Sequence, residues 1–285
     1  MQETVLISGG NSGMGLSTSL LLARRGYRVF AGARSDAGLA TIRQEAGEQE
    51  LQVTPVRLDV QDTGSVAAAV DHVLVTAGRL DVVVNNAGFG LVASVEDGTD
   101  EEFIRQFDVN VFGVLRLIRA AVPAMRRAGR GVVVNVGSFL GHMGLPLLTH
   151  YNASKYAVEG ISDSLRLELS PFGIRVHTVA PGLFRTGFAN RGLAANARTT
   201  ASDSPYADVA GRLLPLIANH INEGPNPKAV ADAVLYAIEA QDAPARIPVG
   251  EEALRADDMK RNLEPAEFEA AVRQLYGLTA PNHPK

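Results

Sequence analysis

The chain contains no cysteine. That absence excludes disulfides, thiolate zinc sites and a cysteine nucleophile, and it fits a reducing compartment. Basic excess is also missing. The formal net charge is −4 at neutral pH, so an electrostatic footprint for nucleic acid is not present. No uninterrupted apolar run is long enough to span a bilayer. The first strand is read from Thr4, which leaves no room for a signal or transit peptide, and the expected location is cytoplasmic. There is no internal repeat, no low-complexity segment and no linker that would divide the chain. The 285 residues, with 46% apolar and 20% charged content, suit a globular protein with a sizeable core.

What is present is an alternation of short apolar runs with helix-like stretches. Thr4 to Ser8, Tyr27 to Ala33, Leu51 to Leu58, Asp81 to Asn85, Gly131 to Val136, Arg175 to Ala180 and Ala245 to Val249 read as strands. Such runs match strands buried on both faces. Helices are expected from the glycine-rich turn to about Arg25, and over Ala37 to Glu48, Ser65 to Ala77, Asp100 to Ala128, Tyr151 to Ser170 and Lys228 to Ala240. Gly26 closes the first of them. The expected fold class is α/β, a doubly wound Rossmann fold with a seven-stranded, mostly parallel sheet and helices on both faces. One domain is expected over residues 1–285. Leu183 to Pro227 is weakly periodic and rich in glycine, proline and asparagine, and is read as a substrate loop. Residues 251–285 read as a helical extension (Glu251 to Arg261 and Pro265 to Tyr276) ending in a polar tail.

The turn Ser8-Gly9-Gly10-Asn11-Ser12-Gly13-Met14-Gly15 joins the first strand to the first helix. Glycines there let backbone amides approach a pyrophosphate, and the helix N-terminus favours negative charge. A plain tight turn would also contain glycine; the strand-turn-helix context selects a dinucleotide site. At the end of the second strand an acid would bind the ribose hydroxyls of NAD. Ala33, Arg34 and Ser35 stand there, and arginine suits a 2′-phosphate, so NADP(H) is preferred over NAD(H). Asp59 and Val60 close the third strand, where the aspartate either reaches an adenine or caps its loop.

Tyr151 and Lys155 lie four residues apart, hence on one helix face, thirteen residues after Ser138. A cation beside the phenol is expected to lower its pKa and let it exchange a proton. Ser138 and Tyr151 can both donate to a carbonyl oxygen that gains negative charge. Phe139, Leu140, Met143, Leu145, Leu147, Leu148, Phe184 and Phe188 suggest an apolar substrate chamber, though part of this set would serve equally as core. His142 and His150, without a carboxylate partner in the pattern, make a poor metal site, and no metal is expected. Arg24 and Arg25 read as a helix C-terminus.

With these motifs in order, the chain resembles the short-chain dehydrogenase/reductase family of the compact, single-domain kind over about residues 3–250. The resemblance rests on the glycine turn, Asn85-Asn86-Ala87-Gly88, Asn110-Val111-Phe112-Gly113, Ser138, Tyr151-x-x-x-Lys155 and Pro181-Gly182. Ser8 replaces the family's usual threonine, and Gly137 stands where a serine is usual. The resemblance implies Ser138, Tyr151, Lys155 and Asn110 as catalytic, with Asn110 anchoring a water that links Lys155 to solvent. It implies cofactor contacts from Gly9, Asn11, Ser12, Gly13, Met14, Gly15, Asn86, Ala87, Gly88, Tyr151, Lys155, Pro181, Gly182 and Thr186. Lys155 would also hold the nicotinamide ribose and Thr186 the carboxamide. It implies a homodimer or homotetramer built on the two long helices. The stretch from Gly26 to Ser35 resembles the retinol- and steroid-dehydrogenase-like branch, which points to interconversion of a ketone or aldehyde and an alcohol. Two other readings stand beside this one. One is a nucleotide sensor that lost turnover; the other is epimerisation or dehydration of a nucleotide-sugar.

Overall fold

Seven short strands, most of them valine-rich, form one parallel sheet in a computed structural model that describes residues 2–188 and 192–278. The strands of this sheet are β1 (Thr4–Ile7), β2 (Arg28–Ala33), β3 (Val53–Arg57), β4 (Val82–Asn85), β6 (Gly131–Val136), β7 (Ile174–Pro181) and β9 (Arg246–Val249). Their order is β3-β2-β1-β4-β6-β7-β9. Every neighbouring pair is parallel, with Val5 opposite Val29 on one side and Val82 on the other. Two further strands, β5 (Gly90–Val92) and β8 (Leu193–Ala195), make a small parallel pair outside this sheet.

The helices are α1 (Gly13–Arg24), α2 (Asp36–Gly47), α3 (Thr63–Ala77), α4 (Asp100–Phe107), α5 (Gly113–Ala128), α6 (Thr149–Leu169), α7 (Ala207–Glu223), α8 (Lys228–Glu239), α9 (Glu251–Asn262) and α10 (Pro265–Leu275). Alternate residues of each strand feed opposite cores. Leu6, Val83 and Val133 pack with Leu117, Ile118 and Val158 of α5 and α6. Val5, Val82 and Val132 pack with Leu22 of α1 and Val230 and Val234 of α8. Both faces of the sheet are therefore covered, as a parallel sheet requires. The chain leaves β1 toward β2 and β3, then crosses back to β4. The loops after β1 and β4 diverge, and a crevice opens between them at the strand C-termini.

The boundaries of most elements fall within two residues of the sequence expectation. Two expectations are corrected. The stretch from Asp100 to Ala128 is helical throughout but not uniformly α: the π-helical turn Asp108–Phe112 lies between α4 and α5. Arg116 and Gln61 fasten the Asp108 carboxylate there, at 2.6 and 3.0 Å. Second, residues 183–227 hold a 17-residue helix, α7, where a loop was expected. Its buried positions Ala210, Leu213, Ile217 and Ile221 do carry a helical period. Pro215 and Gly211 inside the helix obscured it. Residues 189–191 of that loop and 279–285 of the polar tail lie outside the described residues. α5 and α6, the helices on which the resemblance places self-association, leave Leu115 and Leu167 exposed.

A buried polar chain stitches the sheet to α6. Asn85 Nδ2 donates to Asn135 Oδ1 at 2.8 Å, and Asn135 Nδ2 donates to Ser162 Oγ at 2.9 Å. All three residues are buried. Truncating Asn135 leaves the Asn85 amide without a partner, so Asn135→Ala is expected to lower stability by about 2–3 kcal/mol. Urea unfolding measures this; a loss under about 0.5 kcal/mol would mean that the chain contributes nothing to stability.

Candidate active site

The crevice holds a cleft of about 560 Å³ with two distinct halves. One half is built on the β1 turn. Ser8 Oγ accepts from the Asn86 and Ala87 amides, each at 3.0 Å, and Asn86 Nδ2 donates back to the Ser8 and Gly9 carbonyls. The hydroxyl retained by Ser8 thus clamps the ends of β1 and β4 together. Gly9 and Gly13 have positive φ (64° and 51°), a region that disfavours side chains. A Cβ on Gly15 would overlap the Gly9 carbonyl, so only glycine lets α1 start this close to β1. The Ser12 side chain makes no capping bond to α1, leaving its first amides free. Gly9, Asn11, Ser12, Gly13 and Met14 line the cleft.

At its far end lie Arg34 and Ser35. Ser35 caps α2 by accepting from Gly38 N. Arg57 donates to the Arg34 carbonyl and pairs with Asp36, while the Arg34 guanidinium has no ion pair among the described residues. Asp59 and Val60 also line this end; Asp59 Oδ1 accepts from Gln61 N, so the aspartate caps its loop as well as facing the cleft. Asn86, Ala87, Gly88, Pro181, Gly182 and Thr186 complete the wall. Thr186 sits over Gly13, whose added Cβ would be 3.2 Å from it. A glycine cradle, free helix amides and an unpaired cation fit a dinucleotide.

The other half is apolar. Phe139, Leu140, Leu145, Leu148 and Phe188 line it. Phe184 touches the cleft but packs with Val179, Val230 and Val249 in the core on the α1 and α8 side. Met143 does not: it is 1% exposed and packs in the core cluster beneath the cleft. Leu147 likewise packs in that cluster and does not line the cleft. Ile217 and Ile221 of α7, Leu193 of β8 and Tyr276 just past α10 also line the cavity. Ile217, Ile221 and Leu193 were missed because their segment was read as loop, and Tyr276 because the helical extension that carries it was not placed against the cleft. The α7 period was the one available signal. His142 pairs with Asp257 at 3.2 Å, and His150 stacks on Phe103 with ring centroids 3.3 Å apart. Neither lines the cleft, and no metal-holding cluster occurs among the described residues.

Ser138, Tyr151 and Lys155 meet where the halves join. Ser138 follows β6, and its Oγ accepts from Leu140 N at 3.1 Å, which fixes the hydroxyl. Lys155 Nζ donates to the Val136 carbonyl at 2.9 Å and stands 5.8 Å from the Tyr151 ring centroid. Burial disfavours its charge and lowers its pKa to about 8, with Glu159 pulling the other way. Tyr151 departs from the expected direction. Burial disfavours phenolate and pushes it up to about 12, and the Ser138 hydroxyl opposes this weakly. The lysine is held by a carbonyl, and desolvation outweighs its charge. Asn110, in the π-helical turn, accepts from Phe89 N and donates to Phe89 O and Ser154 Oγ. Its side chain is thus a clamp on the segment after β4.

Comparison with known proteins follows the same lines. A family model described as short chain dehydrogenase matches residues 3–196. A 3-ketodihydrosphingosine reductase of Bacteroides thetaiotaomicron is 36% identical over 249 residues, covering 87% of this chain and 88% of that protein. The crystal structure of a short-chain dehydrogenase from Streptomyces avermitilis superposes with TM-score 0.79 and 31% identity, covering 96% of this chain and 98% of that one. A metagenomic short-chain oxidoreductase in complex with NADP superposes with TM-score 0.68 and 25% identity, covering 86% and 95%. No described helix is long and apolar enough to cross a membrane. Fold, site and likeness agree: the chain belongs to the short-chain dehydrogenase family, whose members are oxidoreductases that act on small molecules with a nicotinamide cofactor.

Proposed function

We propose that the protein is an NADP(H)-dependent oxidoreductase that interconverts a ketone or aldehyde and an alcohol, with an apolar substrate. The observation that carries this reading is the meeting of Ser138, Tyr151 and Lys155 at the junction of the glycine-turn half and the apolar half of one cleft. Gly9, Asn11, Ser12, Gly13 and Met14 would hold the pyrophosphate, and Arg34 with Ser35 the 2′-phosphate. When bound, NADPH supplies the hydride.

The protein's own residues handle charge and proton. Ser138 and Tyr151 donate to the substrate oxygen and stabilise the negative charge it gains. A tyrosine held at about 12 keeps its proton through the ordinary pH range, which suits a general acid in reduction. Lys155, cationic below about pH 8, favours proton release from the phenol and would hold the ribose. Asn110 keeps the wall beside Lys155 in place through its side-chain bonds to Phe89 and Ser154. Phe139, Leu145, Phe188, Ile217 and Ile221 favour a long or bulky apolar group. The name of the Bacteroides relative, a 3-ketodihydrosphingosine reductase, supports a ketone as the group reduced.

Three outcomes are expected. In an assay of NADPH consumption across aliphatic, aromatic, quinone, steroid and long-chain carbonyls, Tyr151→Phe should lower kcat by about 10²- to 10⁴-fold and keep NADPH binding. An unimpaired mutant would sink the acid role, and binding without any turnover would favour a nucleotide sensor. Removing the phosphate partner, Arg34→Ala should raise KM for NADPH about 10- to 100-fold and leave KM for NADH nearly unchanged; equal effects on both cofactors would reject NADP preference. Reduction should decline above about pH 8, approaching tenfold per unit, because Lys155 loses its proton as pH rises through its pKa of about 8. A profile flat to about pH 10 would remove the lysine from this role.

A further inference from the structure

Behind the cleft the chain gathers four titratable side chains around the segment that carries Ser138. Arg246 on β9 donates from Nε to Glu159 Oε1 at 3.0 Å, from Nη1 to the Asp257 carboxylate, and from Nη2 to the Ser138 carbonyl at 3.3 Å. Its side chain is 12% exposed, as is that of Glu159. Asp257 on α9 also meets His142 Nδ1 at 3.2 Å. Burial pushes the Asp257 carboxyl up, but the contacts with His142 and Arg246 outweigh it and hold it below its ordinary value.

Glu159 extends the stripe of Tyr151 and Lys155 by one more helical turn of α6. Two glycines make room for it. A Cβ at Gly137 would lie 3.2 Å from Glu159 Oε1 and 2.8 Å from Thr178 Cγ2. At Gly141 it would lie 3.1 Å from Glu159 Cγ and Oε1. The serine usual at position 137 would therefore crowd this carboxylate.

A buried guanidinium is tolerated when its donors are met, and its planar fork fixes their directions. With two donors fixed by Glu159 and Asp257, the third points at the Ser138 carbonyl. That carbonyl also accepts from Gly141 N at 2.9 Å. The same helical unit that supplies Asp257 brings Tyr276 into the substrate cavity.

We propose that Arg246 is a positioning residue for Ser138, and that its pairing with Asp257 makes the serine segment depend on docking of the C-terminal helices. Only the kinetic arm of the test rests on the reductase reading. The variants are Asp257→Asn, which leaves Arg246 paired with Glu159, and Arg246→Lys, which can serve one carboxylate but not all three acceptors. In hydrogen exchange of the full chain, amides of residues 137–142 should exchange about tenfold faster in both variants, with β1 and β4 unchanged. NADPH affinity, read by its fluorescence, should stay within about twofold, while kcat falls about 10- to 100-fold through misplacement of Ser138. Unchanged exchange at 137–142 in both variants would overturn the proposal, as would a loss of NADPH affinity equal to the loss of kcat. If the unsubstituted protein reduces no carbonyl, the reductase reading fails, and the exchange result still decides the positioning role.

Discussion

The structure depends on the clamp between the ends of β1 and β4. Strand order forces the two following loops apart, and without a tie the crevice would have no defined width. One hydroxyl, Ser8 Oγ, takes two amides from the β4 side, and one amide, Asn86 Nδ2, returns to two carbonyls on the β1 side. These bonds satisfy part-buried backbone groups that no strand partner reaches. They also explain why Gly15 has no room for a side chain: the Asn86 amide and the Gly9 carbonyl occupy its space. The glycine turn and the wall that carries Asn86 and Ala87 are then held by one junction.

Desolvation is the second controlling effect. Tyr151 and Lys155 are moved in opposite directions, each toward its neutral form, by about 3 kcal/mol. The attraction that the Tyr-x-x-x-Lys spacing suggests is smaller, because the ammonium is 5.8 Å from the ring centroid and donates to Val136 O. A protonated tyrosine is the form a reductive step consumes. A lysine whose charge is marginal responds strongly to any group that supplies acceptors beside it. The protonation of these two side chains is thus set by burial first and by the neighbouring groups second.

Much of this was legible in the sequence for local reasons. Short runs such as Val82–Asn85 and Gly131–Val136 announced doubly buried strands, and the glycine turn announced the cradle, because both signals come from neighbouring residues. The illegible parts depend on distant contacts. Nothing near Met143 distinguishes it from Leu145, yet one packs beneath the cleft and the other lines it. The direction of the Tyr151 shift depends on burial that the helix period does not record. The π-helical turn at Asp108–Phe112 depends on Arg116, Gln61 and Phe89 fastening it from outside. Tyr276 reaches the cavity at the end of α10, and the charged helical pattern of that extension does not advertise where it docks.

The departure at position 137 has a physical meaning once Glu159 is placed. Losing a hydroxyl there looks neutral for catalysis, since Ser138 is intact. The neighbouring space is nevertheless filled, by a carboxylate that Arg246 holds in a poorly solvated setting. Ion pairs of this kind rarely add net stability, because the desolvation cost is large. A pair that lies against the Ser138 segment has another use. It converts the docking of a distant helix into the position of one main-chain carbonyl, bonded directly to the Cα that bears the Ser138 side chain. A soft, apolar contact would not fix that direction; a planar cation between two carboxylates does.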